Sequence, residues 1–306
     1  MKSRYVCFFA VMGVAALTCM SAKADELYNN LTTNGLIGVA STTSAPIAGE
    51  VEAADDFILG SASTINSASF TGVIAAGTFG VPQITGVTIE IYRVFPFDSD
   101  TNRAPHVNSR VNSPSDVAFD ARSSSNPGDL SFSTSTLSST FTALNSVSAV
   151  GIHPQPNQTT GGNGTVTGQE VQFDVNFTKP LSLDANHYFF VAQVDLSNGG
   201  SFYWLSASRP ISGPGTTPFA PDLQAWVRND GLAPDWSRVG TDIVGGPNIP
   251  QFNLAFSLDG KTGTSGGGGG TNVPEPASFV LLTAGMALIA GFKKRSWKSY
   301  TDFPSL

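Results

Sequence analysis

Val171-Gln172-Phe173-Asp174-Val175-Asn176-Phe177 alternates without a break, with apolar residues at every odd position and polar residues between them. Successive side chains of a strand leave on opposite faces. This stretch therefore predicts a half-buried β-strand with Val171, Phe173, Val175 and Phe177 turned to a core. Phe252 to Leu258 repeats the pattern, and Val87-Thr88-Ile89-Glu90-Ile91 is a third case. His187 to Val194 and Phe202 to Leu205 are more continuously apolar and suit central strands, with Asn198-Gly199-Gly200 between them as a hairpin signal. Weaker strands are read at Ile65 to Val73, Val117 to Ala121, Leu130 to Ser133 and Leu223 to Val227. Turn chemistry separates these runs, as at Asn126-Pro127-Gly128, Gly161-Gly162-Asn163-Gly164 and Gly213-Pro214-Gly215. Many short strands punctuated in this way predict an all-β body, a β-sandwich of the jelly-roll type, spanning 25–262.

Composition narrows what that body does. The chain has 306 residues, and its two cysteines, Cys7 and Cys19, both lie near the start. The body has none, so it holds no disulfide, thiol nucleophile or cysteine-ligated metal. A domain of this length buries roughly 70–75% of its unfolded surface, enough to fold without such staples. Between Asp25 and Asn272 there are 9 basic and 21 acidic residues, a net of −12. Nucleic acids and anionic membranes want the opposite sign, so neither is an expected partner.

The two ends read differently. Lys2 and Arg4, the apolar stretch Val6 to Leu17 and the A-x-A site Ala22-Lys23-Ala24 form a secretory signal peptide over 1–24, with cleavage before Asp25. Residues 263–272 contain no apolar residue and form a glycine-rich tether with a reach of about 17–19 Å. Val273-Pro274-Glu275-Pro276 follows, and its prolines hold the preceding residues extended. Next come sixteen uncharged residues, 277–292, the basic cluster Lys293-Lys294-Arg295 and a cytoplasmic tail over 296–306. The uncharged run is a short membrane span of about 24 Å, with the basic cluster on the cytoplasmic side.

Tether, Val273-Pro274-Glu275-Pro276, apolar span and Lys293-Lys294-Arg295 together resemble a PEP-CTERM sorting signal over 273–295, a motif also assigned to ice-binding proteins. The resemblance implies recognition by exosortase, an intramembrane cysteine transpeptidase of Gram-negative bacteria. It also implies that the tail is cut and exchanged for another anchor, as apolar tails are in other anchoring signals. Secretion machinery and exosortase are then the expected partners. The expected location is the inner membrane before processing and the outer surface or extracellular matrix after it. Ala54-Asp55-Asp56-Phe57 and the late Pro180-Leu181-Ser182-Leu183 are similar to segments of many PEP-CTERM ectodomains.

Candidate chemistry in the body is sparse. Asp98-Ser99-Asp100-Thr101-Asn102 has a D-x-D-x-N spacing, but Arg103 and Ser109 stand where an EF-hand needs glycine and an acid. The alternatives are a shortened Ca²⁺ loop on Asp98, Asp100 and Asn102, or a polar turn. Asp55-Asp56 is read as a solvated turn pair or as carboxylates for calcium. The widely spaced His106, His153 and His187 give no zinc pattern, and His187 is read as a structural hydrogen-bonding residue. Trp204, Trp226 and Trp236 are either core residues or platforms for sugar rings. No catalytic constellation is legible, and no cofactor other than Ca²⁺ is suggested. Ser131 to Thr142 is dense in serine and threonine without a fixed repeat, and is read as polar strand and loop. The leading expectation is a structural or adhesive surface protein that has exopolysaccharide as partner and is not an enzyme. A carbohydrate-binding module and a secreted hydrolase are the alternatives.

Overall fold

A computed structural model of the chain describes residues 24–77, 82–103, 110–152, 159–209, 222–246 and 250–263. The chain divides between Thr264 and Ser265 into two compact units, and the described residues belong to the first. Ala22, the motif Val273 to Pro276, the span 277–292 and Lys293 to Arg295 lie outside the described residues. Among the described residues no helix is long and apolar enough to cross a membrane.

The body is all-β. In chain order its strands are β1 (Asp25–Asn29), β2 (Thr33–Ala40), β3 (Thr42–Ala45), β4 (Gly49–Leu59), β5 (Ser63–Ala75), β6 (Ile84–Arg93), β7 (Asp120–Ser123), β8 (Leu130–Ala143), β9 (Asn145–Val147), β10 (Val166–Leu183), β11 (Asn186–Leu196), β12 (Ser201–Ala207), β13 (Trp226–Asn229), β14 (Ser237–Arg238) and β15 (Phe256–Thr262). One sheet follows the path β1-β15-β5-β12-β2-β9, with β10 on β5 and β8 on β10. The other runs β14-β13-β4-β11-β6-β7, with β3 on β4. Pairing is antiparallel except between β2 and β9. The larger core cluster draws residues from both sheets, and a second cluster (Tyr92, Val94, Phe189, Val191, Leu223, Trp226 and Trp236 among its members) lies on the second sheet.

The alternation that opens the sequence reading sits in β10. Val171, Phe173, Val175 and Phe177 are buried, while Gln172, Asp174 and Asn176 are half-buried or exposed. Phe173 stacks on Phe70 of β5 at 4.8 Å, and Phe70, Phe190 and Phe256 present rings to Trp204 at 5.9–6.2 Å. This aromatic cluster ties β5, β10, β11, β12 and β15 into one core.

Four predicted elements differ in the structure: the strand read at Val117 to Ala121 starts only at Asp120, that read at Leu223 to Val227 starts only at Trp226, and two more differ in kind. Only Phe256 to Leu258 of the stretch Phe252 to Leu258 enters β15. Upstream, the amide of Leu254 donates to the buried carboxylate of Asp55 at 2.8 Å, so a side chain takes a bond that a neighbouring strand would supply. Asn198 and Gly199 do make a tight turn, with φ of 56° and 66° and the Gly200 amide donating to the Ser197 carbonyl at 3.1 Å. It is not a hairpin, because β11 and β12 belong to different sheets. The turn residues supply the left-handed backbone the reversal needs, but they do not choose the strand partner.

Candidate functional site

Charge in an apolar setting marks where the body departs from simple packing, and β4 carries most of it. Its residues alternate between the two faces of the second sheet. Val51, Ala53, Phe57 and Leu59 enter the large core, whereas Glu52, Ala54 and Asp56 face the second cluster. Glu52 lies opposite Arg228 of β13. Arg228 Nε donates to Glu52 Oε2, and Nη2 donates to Glu52 Oε1 at 3.1 Å and to the Tyr92 hydroxyl at 2.8 Å. Its remaining nitrogen, Nη1, reaches the carbonyls of Asp116 and Pro234 at 3.1 and 3.3 Å. The guanidinium lies over the Trp236 ring at 4.4 Å and the Tyr92 ring at 5.3 Å. Planar shape and a fork of donors suit arginine to this slot, and lysine could not fill it.

Tyr92 donates to Glu52, and its hydroxyl is 3.1 Å from Glu90 Oε2. Burial, and then the negative charge of Glu52, push the Glu90 carboxyl up to about 8. Glu50, whose Oε1 accepts from Gln193 Nε2 at 3.0 Å, is also raised by burial. Two further arginines close the neighbouring loops. Arg103 and Arg110 reach Asp235 at 2.6 and 2.9 Å, and Arg110 reaches Asp116 at 2.7 Å. The result is a buried ionic layer on the outer side of the second sheet, with nearly every charge internally matched.

A second polar group lies further along β4. Asp56 Oδ2 is 2.6 Å from His187 Nε2, and Asp56 Oδ1 accepts the Leu223 amide at 2.9 Å. Burial pushes Asp56 up to about 6 against the opposing hydrogen bond from His187. Asp55, on the inner side, is fully buried and raised well above the ordinary range by burial and by Asp56. Asp55-Asp56 is therefore neither a solvated turn nor an edge pair. It is the middle of a central strand, where each carboxylate accepts a backbone amide from a distant loop. His187 is the hydrogen-bonding residue expected of it.

No protein-family model, curated protein or solved structure matches this chain.

The tryptophans are corrected by the structure. Trp204, Trp226 and Trp236 are 0%, 1% and 1% exposed, so none offers a ring face to a sugar. Trp204 Nε1 donates to the Ala255 carbonyl at 2.9 Å and Trp236 Nε1 to the Ser115 carbonyl at 3.1 Å. Trp226 and Trp236 are spent instead on the second cluster, with Arg238 over the former and Arg228 over the latter. In the predicted calcium loop, Arg93 grips Asp98 through Nε at 2.6 Å and Nη2 at 2.5 Å. Asp100 Oδ1 accepts the Asn102 amide at 2.9 Å, the bond of a polar turn. Among the described residues no group of three or more histidine or acidic side chains is placed to hold a metal ion.

Ile74, Gly77, Pro82, Thr140, Thr167 and Gln169 help to line a groove of about 710 Å³ beside β8 and β10. Its described lining residues offer hydroxyls, the side-chain amides of Gln83 and Gln169, and backbone.

The raised carboxyls make one measurable consequence of this layer. The folded chain keeps the Glu90 proton up to about 8, while the unfolded chain releases it near its ordinary 4.5. Stability from this group is fully present below the lower value and is lost as the pH rises through the upper one. Asp56, raised to about 6, adds to the loss in the lower part of that window. Denaturation midpoints should fall as the pH rises between about 4.5 and about 8, and Glu90→Gln should flatten the upper part of that decline. Equal slopes for the two proteins would refute the assignment.

Proposed function

We propose that this chain is an exported precursor whose all-β body is a sandwich of the jelly-roll type. The body serves as a structural or adhesive component of the cell surface or extracellular matrix, with exopolysaccharide as its partner. Delivery runs through the PEP-CTERM signal: the secretion machinery exports the chain, the apolar run 277–292 holds it in the inner membrane, and exosortase acts at Val273-Pro274-Glu275-Pro276.

The observation that carries this reading is that the first and last described strands, β1 and β15, are bonded neighbours in the first sheet. β1 starts at Asp25, the residue after the A-x-A site, and β15 ends at Thr262, just before the glycine tether. The two strands pair, with Asp25 opposite Gly260. A cut before Asp25 or after Thr262 leaves this pair, and every other described strand, intact. A body built this way tolerates both a leader cut and a tail exchange. The inward pairing of its charged clusters further supports a scaffold over a catalyst.

The test is to replace Pro274, Glu275 and Pro276 together with alanine and to follow the mass and location of the product. The native protein should reach the surface or medium having lost its C-terminal segment. The variant should stay in the inner membrane at its longer mass. Unchanged processing and surface delivery would sink the proposal.

A further inference from the structure

The first sheet ends on β8, and β8 is unlike the other sheet margins among the described residues. The other terminal or one-sided strands are short: β9 has 3 residues, β14 has 2, and β7 and β3 have 4 each. β1 has 5 and carries Asp25 and Glu26. Short length and charge are the usual ways of keeping an edge from pairing with another chain. β8 has 14 residues, pairs only β10 among the described strands, and contains no charged residue and no proline. Bulges interrupt its register between Thr136 and Phe141, but Leu130 to Thr136 pairs residue for residue with Phe177 to Val171. Those seven residues present a straight, uncharged line of backbone whose alternate N–H and C=O groups point away from the sheet.

From this edge we infer that β8 pairs antiparallel with β8 of a second copy of this chain, about a two-fold axis through Ser133, joining the two sheets into one. A second copy fits because the edge is self-complementary. In that register Ser133 faces Ser133, Ser131 faces Ser135 and Leu130 faces Thr136. The half-buried Phe132 meets Thr134 of the second copy, on the side of β8 where the core opens to solvent. An isologous contact of this kind closes on itself as a dimer, and threonine–aromatic and serine–serine neighbours are favourable cross-strand pairs.

Charge selects the same place. The body carries a net charge of −12, so a contact surface rich in acids would oppose like charges between copies. Asp129, just before the strand, would sit at the opposite end of the pairing from its mate, and Asp174 of β10 stands opposite Ser133, one strand in from the edge. Across the joined sheet Asp174 would stand three strand spacings, about 14 Å, from its mate. That distance exceeds the screening length of about 8 Å at physiological salt. This inference goes beyond the surface-protein proposal and does not depend on how the tail is processed.

The test compares the full-length chain with Ser131→Lys/Ser133→Lys in the same mild detergent. Both positions are exposed, so the fold should hold, and equal circular dichroism and melting would verify it. The native chain should sediment at twice its chain mass as concentration rises, and the lysine variant at once its mass. In a background with Cys7 and Cys19 changed to serine, Ser133→Cys should give a disulfide-linked dimer on mild oxidation, well ahead of Asn126→Cys on an exposed turn. A native chain that stays monomeric, a dimer that survives the lysines, or equal cross-linking at the two cysteines would each overturn the inference. Because tail and detergent are the same in both proteins, association through the apolar tail would appear as a dimer insensitive to the lysines.

Discussion

Arg228→Ala should be among the most damaging single changes in the body, lowering stability by about 3–5 kcal/mol, the usual cost of removing one partner of a buried ion pair. The size follows from what the guanidinium holds. It neutralises Glu52, donates to Tyr92, and ties the Asp116 and Pro234 carbonyls of two covering loops to the sheet. Without it, Glu52 is a buried carboxylate that keeps only neutral partners, the Tyr92 hydroxyl and the protonated Glu90 carboxyl. The Trp236 ring also loses the cation stacked on it at 4.4 Å. Removing the stranded charge as well should return part of the loss. The double variant Arg228→Met/Glu52→Gln should therefore unfold at a higher urea concentration than Arg228→Ala. A double variant no more stable than the single one would mean that the loop ties, not the ion pair, carry the cost. The two cases are separable because a stability that couples two residues shows as non-additivity.

That ionic layer also marks the limit of what the sequence made legible. The alternating stretch in β10, the shorter one in β6 and the apolar runs of β11 and β12 were readable because a strand's two faces are written in its own residues. β4 was not. Glu52, Asp55 and Asp56 break its apolar pattern, and local reasoning sends such charges to a turn. What makes them tolerable inside is far along the chain. Arg228 is 176 residues from Glu52, His187 is 131 from Asp56, and the Leu254 amide is 199 from Asp55. Period and propensity carry no information on such pairs. The tryptophans failed for a related reason: a nearby Asn229-Asp230-Gly231 turn places the backbone at a surface, yet the rings of Trp226 and Trp236 turn inward under covering loops. In β8 the sequence marks Leu130 to Ser133 as strand, and Ser131 to Thr142 no more sharply than as polar strand and loop. Beyond Ser133 both faces are largely exposed, so burial imposes no alternation. The strand is held by its backbone ladder to β10.

Trp204→Ala should match the arginine change in size, at about 3–5 kcal/mol, by a different mechanism: the loss of a large buried ring and the cavity it leaves. The ring is fully buried where β5, β11, β12 and β15 converge, and Phe70, Phe190 and Phe256 all pack edge-on to it. Domains are stable by only about 5–15 kcal/mol, so such a loss should lower the melting temperature by on the order of 10 °C. Trp204→Phe separates packing from hydrogen bonding. The Ala255 carbonyl that accepts from Trp204 Nε1 also accepts the Thr71 amide at 3.2 Å. Losing the indole donor therefore strands no buried acceptor, and the phenylalanine variant should cost much less than the alanine one. If the two fall equally far, the Nε1 bond to Ala255 is the main tie between β12 and the approach to β15. If alanine is tolerated, the aromatic cluster is not the element that holds the core together.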